Sequence, residues 1–140
     1  TGGVGGSGGA GGAGAAGGIG AMLLAMGGAV ESGIELVLAL TGWTDAARTA
    51  SVAVTGEGTV DLSSTEGKVV SGVLAAARPS QLPVVVFGGR VQPDGAAALR
   101  ELGAVDVRPL SGRIADAADD LYALGVHMAT RLLSTTQAAG

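Results

Sequence analysis

The segment TGEGTVD at residues 55–61, with Gly67-Lys68 shortly after it, contains the residue types that phosphoryl transfer requires. The apolar run SVAV at residues 51–54 precedes the segment and is typical of a buried strand. A protein core has no need for Glu57, Asp61 and Lys68 at the end of such a strand. Phosphoryl transfer uses carboxylates to bind a metal ion or a substrate hydroxyl, and a cation to bind phosphate. The pattern therefore predicts a polar loop suited to that chemistry.

Each of these side chains also has a structural interpretation. Glu57 lies between two glycines, so it is either a carboxylate presented by a tight turn or a solvated loop acid. Asp61 could bind Mg²⁺, accept a proton from a substrate hydroxyl, or cap a turn. Lys68 falls in the first turn of a predicted helix, where a cation opposes the helix dipole. That cost favours phosphate binding, with a solvated lysine as the alternative.

The composition excludes several classes of function. The 140 residues suffice for one domain, and the net charge of −4 without a basic run argues against nucleic-acid binding. With no cysteine and one histidine, the chain has no disulfide framework and no thiolate or histidine-rich metal site. No run of about 18 apolar residues predicts a membrane span. No secretory signal is visible either, so we expect a cytoplasmic protein.

Strands alternating with helices predict an α/β fold with a doubly wound, three-layer parallel sheet over residues 51–140. Glycines, prolines and capping-box spacings give the element bounds, with Ser63–Glu66 beginning the first helix. The predicted strands are 51–55, 83–87 and 104–108, and the predicted helices are 63–78, 95–102 and 114–133. The last helix has one apolar face, formed by residues 114, 117, 121, 124, 128 and 132.

The residues before this sheet have a different character. Residues 1–11 are glycine-rich and predict a flexible lead. Residues 12–50 combine a glycine loop with a buried helix predicted at 21–30 and a second helix. The second helix is predicted to begin at the capping-box pair Ser32 and Glu35 and to end near Leu40.

Ligands of such sheets bind outside the carboxyl ends of the strands. Here those ends are predicted at Thr55-Gly56-Glu57, at residues 87–90 (FGGR) and at Val107-Arg108. Arg90 could clamp a carboxylate or a phosphate with its planar fork, or it could be a surface arginine. His127, in the last helix, is predicted to be structural or exposed. Asp116, Asp119 and Asp120 are predicted to form the solvated face of that helix.

The sequence GAGAAG at residues 12–17 fits the G-x-G-x-x-G pattern, and a predicted helix follows it. Backbone N–H groups at such a helix start could cradle an anion. The dinucleotide-binding pattern requires a preceding strand, and none is predicted. The glycine pattern makes a nicotinamide- or flavin-binding oxidoreductase domain an alternative hypothesis, and the missing strand argues against it.

Taken in order, these motifs resemble the carboxy-terminal part of bacterial glycerate kinases of the two-domain α/β family. The resemblance covers about residues 12–110, and TGEG with Asp61 and Gly67-Lys68 is its most specific part. The other resembling segments are GAAGGIGA (14–21), SGIELV (32–37), Gly72-Val73, PVVV (83–86) and Gly88-Gly89. Family members are much longer, so the resemblance implies that a large amino-terminal portion is missing. The initial Thr likewise suggests a fragment or a processed product.

The resemblance implies ATP-dependent phosphorylation of D-glycerate with Mg²⁺, giving 2-phosphoglycerate. Glu57 and Asp61 would hold Mg²⁺ or orient the hydroxyl, and Lys68 and Arg90 would neutralise developing charge. Ser63 stands at a substrate-binding position where the family usually has Gln, so an amide donor and acceptor are lost there, and a divergent or inactive member is an alternative to a fragment. The backbone of the glycine loop would bind phosphate or the glycerate carboxylate, through Gly14, Ala15, Gly17 and Gly18.

By the same resemblance, residues 12–50 would be a remnant of a second domain, and residues 51–140 would belong to the sheet domain. A fragment of this kind would expose apolar surface, so a homo-oligomer is a physical expectation. A non-catalytic interaction module is accordingly the second alternative hypothesis.

Overall fold

The computed structural model describes residues 18–66 and 69–138, with side chains described as far as residue 130. The glycine loop at residues 12–17 and Gly67-Lys68 lie outside the described residues. The helices are α1 (Ile19–Ala25), α2 (Gly33–Leu40), α3 (Trp43–Thr49), α4 (Val69–Ala77), α5 (Pro93–Glu101) and α6 (Ala117–Ala138). The strands are β1 (Ala53–Val60), β2 (Val84–Val91) and β3 (Ala104–Pro109). Short 3₁₀ helices span Leu62–Thr65, Arg78–Ser80 and Ile114–Asp116.

The three strands form a parallel sheet in the order β1-β2-β3, which confirms the predicted α/β fold. The predicted ends of the first two strands were wrong. β1 and β2 continue past Thr55 and Phe87, because their ladder runs on through the pairs Glu57–Gly88 and Thr59–Arg90. Glu57 and Arg90 therefore lie within strands near their carboxyl ends, whereas the sequence placed them in loops.

The hydrophobic core is built mainly from Ala, Val and Leu side chains. Helices α4 and α5 contribute Val70, Leu74 and Leu99 to a single buried cluster with Val84 and Val86 of β2. In β3, Ala104 and Val107 both face this cluster although they are an odd number of residues apart. A register shift opposite Val84-Val85 inserts Val105 and makes this possible.

Helix α6 lies on the other side of the sheet. Asp106 and Arg108 flank the buried Val107 in β3, so they point to the opposite face. His127 of α6 contacts Arg108 there. Among the described residues of the predicted apolar face, Leu124 is buried, whereas Ile114 is 96% exposed and lies in a 3₁₀ turn before the helix. The predicted start of the last helix at residue 114 was therefore wrong, because α6 begins at Ala117.

The amino-terminal helices depart further from the expectations. The helix predicted at 21–30 is α1, and its side chains are exposed rather than buried. Helix α2 begins after Ser32 as predicted, but the Ser32 side chain makes no capping hydrogen bond. Trp43 of α3 donates its indole N–H to the Ala76 carbonyl of α4 over 3.2 Å, which fastens this segment to the sheet helices. Within the described ranges, no helix is long and apolar enough to cross a membrane.

Candidate functional site

Glu57 occupies the fifth position of β1 and is half-buried. Its Oε1 atom is shielded from solvent and makes no hydrogen bond with the described residues. A buried carboxylate oxygen without a donor is costly, so such an atom usually has a ligand, an ordered water or an ion as its partner in the working protein. Glu57 is therefore a candidate to bind a cation or a hydroxyl group.

Asp61 follows β1 directly and caps the 3₁₀ helix Leu62–Thr65. Its Oδ1 accepts the Ser63 N–H over 2.8 Å, and its own N–H donates to the Ser64 Oγ over 3.1 Å. The predicted capping box at Ser63 and Glu66 was wrong, because the box forms two residues earlier, between Asp61 and Ser64. Asp61 therefore caps a turn, which is one of its predicted roles. It lies four residues after Glu57 along the chain.

The start of α5 holds Asp61 in place. Gly95 packs so closely on Asp61 that a Cβ atom there would lie 2.5 Å from the Asp61 Cα atom. Only glycine fits such a contact between backbones. Helix α5 begins at Pro93 after the N-cap Gln92, two residues before its predicted start at Gly95, and the Asp94 Oδ1 accepts the neighbouring Gly95 N–H. The backbone of Asp61 is therefore fixed by its own cap and by α5.

A groove of about 320 Å³ lies at the carboxyl ends of all three strands. Residues 58–59 and 89–90 line it from β1 and β2, and residues 110 and 112–114 line it from the turn after β3. Ala117 and Asp120 of α6 complete the lining. The predicted location of a ligand site, outside the carboxyl ends of the strands, therefore coincides with a cavity. Arg90 borders this groove, whereas Glu57 does not.

The turn after β3 is held by hydrogen bonds from α6. The Asp120 Oδ2 accepts the Ser111 N–H over 3.0 Å and the Ser111 hydroxyl over 2.6 Å. The Ser111 Oγ in turn accepts the Arg113 N–H. Asp116 forms an ion pair with Arg113 over 3.1 Å. The prediction that Asp116 and Asp120 are merely solvated was wrong, because both carboxylates order residues 110–114.

The remaining predicted site residues lie partly outside and partly within the described part of the chain. Lys68, Gly14, Ala15 and Gly17 lie outside the described residues and stay predictions. Gly18 precedes α1 with φ +96°, a conformation that favours glycine. Ser63 is exposed, and its N–H is held by Asp61. Within the described part of the chain, no cluster of three acidic, histidine or cysteine side chains could hold a metal ion.

Sequence analysis missed Leu110, Arg113 and Ile114, which line the groove. The turn signal Ser111-Gly112 directly after a predicted strand could have drawn attention to them. The local sequence does not show that this turn folds back over β2. Gly112, at φ +75°, lies against that strand, and a Cβ atom there would be 3.0 Å from the Gly89 carbonyl oxygen.

The three-stranded parallel sheet flanked by helices defines an α/β protein, a class in which ligands commonly bind outside the carboxyl ends of the strands. Within that class, the chain belongs to the glycerate kinase family, which matches residues 5–138. No solved structure matches the chain significantly.

Three curated proteins are similar in sequence to this chain. An uncharacterised protein of Mycobacterium bovis is 43% identical over 120 residues, covering 81% of this chain and 31% of the relative. An uncharacterised protein of Mycobacterium tuberculosis gives the same values. A Bacillus cereus protein named glycerate kinase is 40% identical over 74 residues, covering 53% of this chain and 19% of the relative. The chain thus spans about a third or less of the length of these relatives.

Proposed function

We propose that this chain is the part of a glycerate kinase that supplies the carboxylates for ATP-dependent phosphorylation of D-glycerate to 2-phosphoglycerate. The observation that carries the proposal is the shielded Oε1 of Glu57 within TGEG, which makes no hydrogen bond with the described residues. A family whose name denotes a kinase, together with a polar atom that lacks a donor, supports a site for a cation or a reacting hydroxyl.

The residues present are compatible with Mg²⁺. This ion is commonly held by one or two protein carboxylates, with substrate phosphates and water as its other ligands. Glu57 or Asp61 would supply such a carboxylate, so a cluster of three acids is unnecessary. When bound, Mg²⁺ would supply charge neutralisation for the transferring phosphoryl group.

The protein groups would act mainly by positioning and charge. Glu57 or Asp61 would accept a hydrogen bond from the reacting hydroxyl of D-glycerate and orient it toward the phosphoryl group. Lys68 and Arg90 would stabilise negative charge on that group. The Asp61 backbone, fixed by Ser64 and by Gly95, would hold its carboxylate in one place.

The glycine loop and Ser63 would serve the substrate. Backbone N–H groups of Gly14, Ala15, Gly17 and Gly18 would bind phosphate or the glycerate carboxylate at the start of α1. Ser63 would offer a hydroxyl to the substrate from the turn that follows Asp61.

The experiment is a coupled assay of ADP release with ATP, Mg²⁺ and D-glycerate, on this chain and on the full-length Bacillus cereus relative as a control. ³¹P NMR of the product identifies the phosphorylated hydroxyl. Turnover abolished by Asp61→Asn supports the proposal. If the control is active and the chain alone releases no ADP in response to D-glycerate, the chain does not contain a complete kinase site. Mixing the chain with the amino-terminal portion of the relative then tests whether the site is completed in trans.

Exposed apolar side chains favour one second candidate, a non-catalytic module that pairs with another copy. Met22, Met26 and Leu40 are each more than 60% exposed on α1, just after it and on α2. Sedimentation that depends on concentration, without ATP binding, would favour this candidate. The oxidoreductase hypothesis depends on residues 12–17, outside the described part, and NADH fluorescence titration would test it.

A further inference from the structure

Gly58 in β1 has no steric reason to be glycine among the described residues. A Cβ atom at Gly56 would lie 2.6 Å from the Phe87 ring, and one at Gly89 would lie 2.9 Å from the Gly58 carbonyl oxygen. A Cβ atom at Gly58 would meet no described atom within 4 Å, and its φ is not in the left-handed region. Glycine weakens a strand, so its presence at an unobstructed position indicates that something else approaches the backbone there.

The space in front of Gly58 is the groove at the carboxyl ends of the strands. Its volume of about 320 Å³ lies at the lower end of the range of roughly 300–1,000 Å³ for small-molecule sites. One wall is apolar and consists of Leu110, Ile114 and Ala117. Ile114 is 96% exposed, so a large aliphatic side chain stands at the groove with no protein partner in the described part.

Two arginines supply positive charge to the groove. Arg90 lines the groove, is exposed, and makes no hydrogen bond or ion pair with the described residues. Arg113 lines it as well, with its charge partly balanced by Asp116. The groove therefore offers an apolar wall, exposed strand backbone at Gly58, and a guanidinium available to an anion.

We propose that this groove binds a purine nucleotide, with the base between Gly58 and the apolar wall and the phosphates toward Arg90. The inference rests on the proposed function, since it assigns the ATP of that reaction to a place. A flat base suits a wall of aliphatic carbon above open backbone, and phosphate suits a guanidinium fork. D-Glycerate has no apolar face and is much smaller than the groove.

The turn that forms the wall is preorganised for such a ligand. Asp120 fixes Ser111 through two hydrogen bonds, and Gly112 lies against the Gly89 carbonyl. Binding then requires little ordering of residues 110–114, and a rigid site loses less conformational entropy on binding.

The test is calorimetric titration of the chain with ATP, without D-glycerate. Gly58→Leu places a side chain at the groove, where a Cβ atom meets no described atom within 4 Å, and Ile114→Ala shortens the wall. We expect Gly58→Leu to weaken ATP binding by at least about tenfold and Ile114→Ala by about threefold. Gly125→Leu is the matched control, because Gly125 on α6 also has open space and does not line the groove. Thermal unfolding of each variant shows whether the fold is retained.

Photolabelling with 8-azido-ATP gives an independent location. We expect ATP-protected label between residues 109 and 118. Label confined to other segments, equal ATP affinity of the Gly58→Leu and Gly125→Leu variants, or no ATP binding by the unaltered chain overturns the inference.

The D-glycerate assay separates this inference from the proposed function. Groove-mapped ATP binding without phosphorylation of D-glycerate, both by the chain alone and by its mixture with the amino-terminal portion of the relative, would uphold the nucleotide site and reject the kinase assignment. Phosphorylation that Gly58→Leu leaves intact would uphold the kinase and reject the site.

Discussion

Ile34 of α2 lies so close to Gly72 of α4 that a Cβ atom at Gly72 would overlap its side chain. The two helices meet at this point, where the Ile34 side chain occupies the space that a glycine leaves. Ile34 is half-buried and packs against the core cluster. The contact therefore joins the segment before the sheet to the core that α4 forms with β1 and β2.

Gly72→Ala should destabilise the chain by about 1–3 kcal/mol, because the added methyl group must push α2 and α4 apart. The effect is opposite in sign to helix propensity, which favours Ala over Gly by about 1 kcal/mol within a helix. Urea unfolding followed by circular dichroism measures the change. Gly33→Ala is the control, since a Cβ atom there meets nothing within 4 Å. A Gly72→Ala variant as stable as Gly33→Ala would show that the helices do not pack this closely.

The sheet could be predicted from the sequence because continuous runs of β-branched residues have few alternatives in an α/β chain. PVVVF at residues 83–87 and the alternating helices were sufficient for β2 and its neighbours. The strand ends could not be predicted, since Gly56-Glu57-Gly58 and Gly88-Gly89 resemble turns locally. They remain in strands because each glycine segment pairs with the other, a long-range effect.

The candidate site was only partly accessible from sequence for a similar reason. Glu57 and Asp61 were found by residue type and order, but whether Asp61 caps a turn depends on Ser64, which is buried beneath it. The groove depends on how the turn after β3 lies over β2. No local pattern in residues 110–114 encodes that position, so Arg113 and Ile114 were missed.

His127 should anchor α6 to the sheet through Arg108. The Arg108 Nε donates to the Asp106 Oδ2 over 2.8 Å, and its Nη2 lies 2.6 Å from the His127 Nε2. A guanidinium can only donate, so Nε2 is the acceptor in this contact. His127→Ala should cost about 1 kcal/mol of local stability and speed amide exchange in residues 117–130 about fivefold.

Hydrogen–deuterium exchange with mass spectrometry measures that change. Thr130→Ala is the matched control on the same helix, because among the described residues the Thr130 hydroxyl bonds to the Val126 carbonyl of its own helix and to no other group. Equal exchange of α6 in the two variants would mean that Leu124 and the Asp120–Ser111 contacts hold the helix without His127.

Asp61→Asn and Ser64→Ala should separate capping from catalysis. Asparagine keeps an oxygen that accepts the Ser63 N–H, so the fold should be nearly unchanged while turnover falls by about 10²–10⁴-fold. Ser64→Ala removes a buried hydroxyl and leaves the Asp61 N–H without its acceptor. That variant should lose about 1–2 kcal/mol of stability and retain most of its turnover per folded molecule.

Thermal unfolding and the ADP-release assay, run on both variants, decide the question. The assay is done on the chain if it is active alone, and otherwise on the mixture with the amino-terminal portion of a relative. Loss of stability in Asp61→Asn equal to that in Ser64→Ala, with turnover preserved, would leave Asp61 with a capping role alone.

Glu57→Gln should abolish the stabilisation that Mg²⁺ gives in the presence of ATP. The shielded Oε1 makes no hydrogen bond with the described residues, so removing its charge without a ligand should leave stability equal or higher. A ligand that binds only the folded state raises the unfolding temperature. At a ligand concentration 100 times its Kd, the free energy of unfolding increases by about 2.7 kcal/mol. We expect Mg²⁺ with ATP to raise the unfolding temperature of the unaltered chain and of Glu101→Gln, an exposed acid at the end of α5. Glu57→Gln should show no such rise, and an equal rise in all three proteins would remove Glu57 from the metal site.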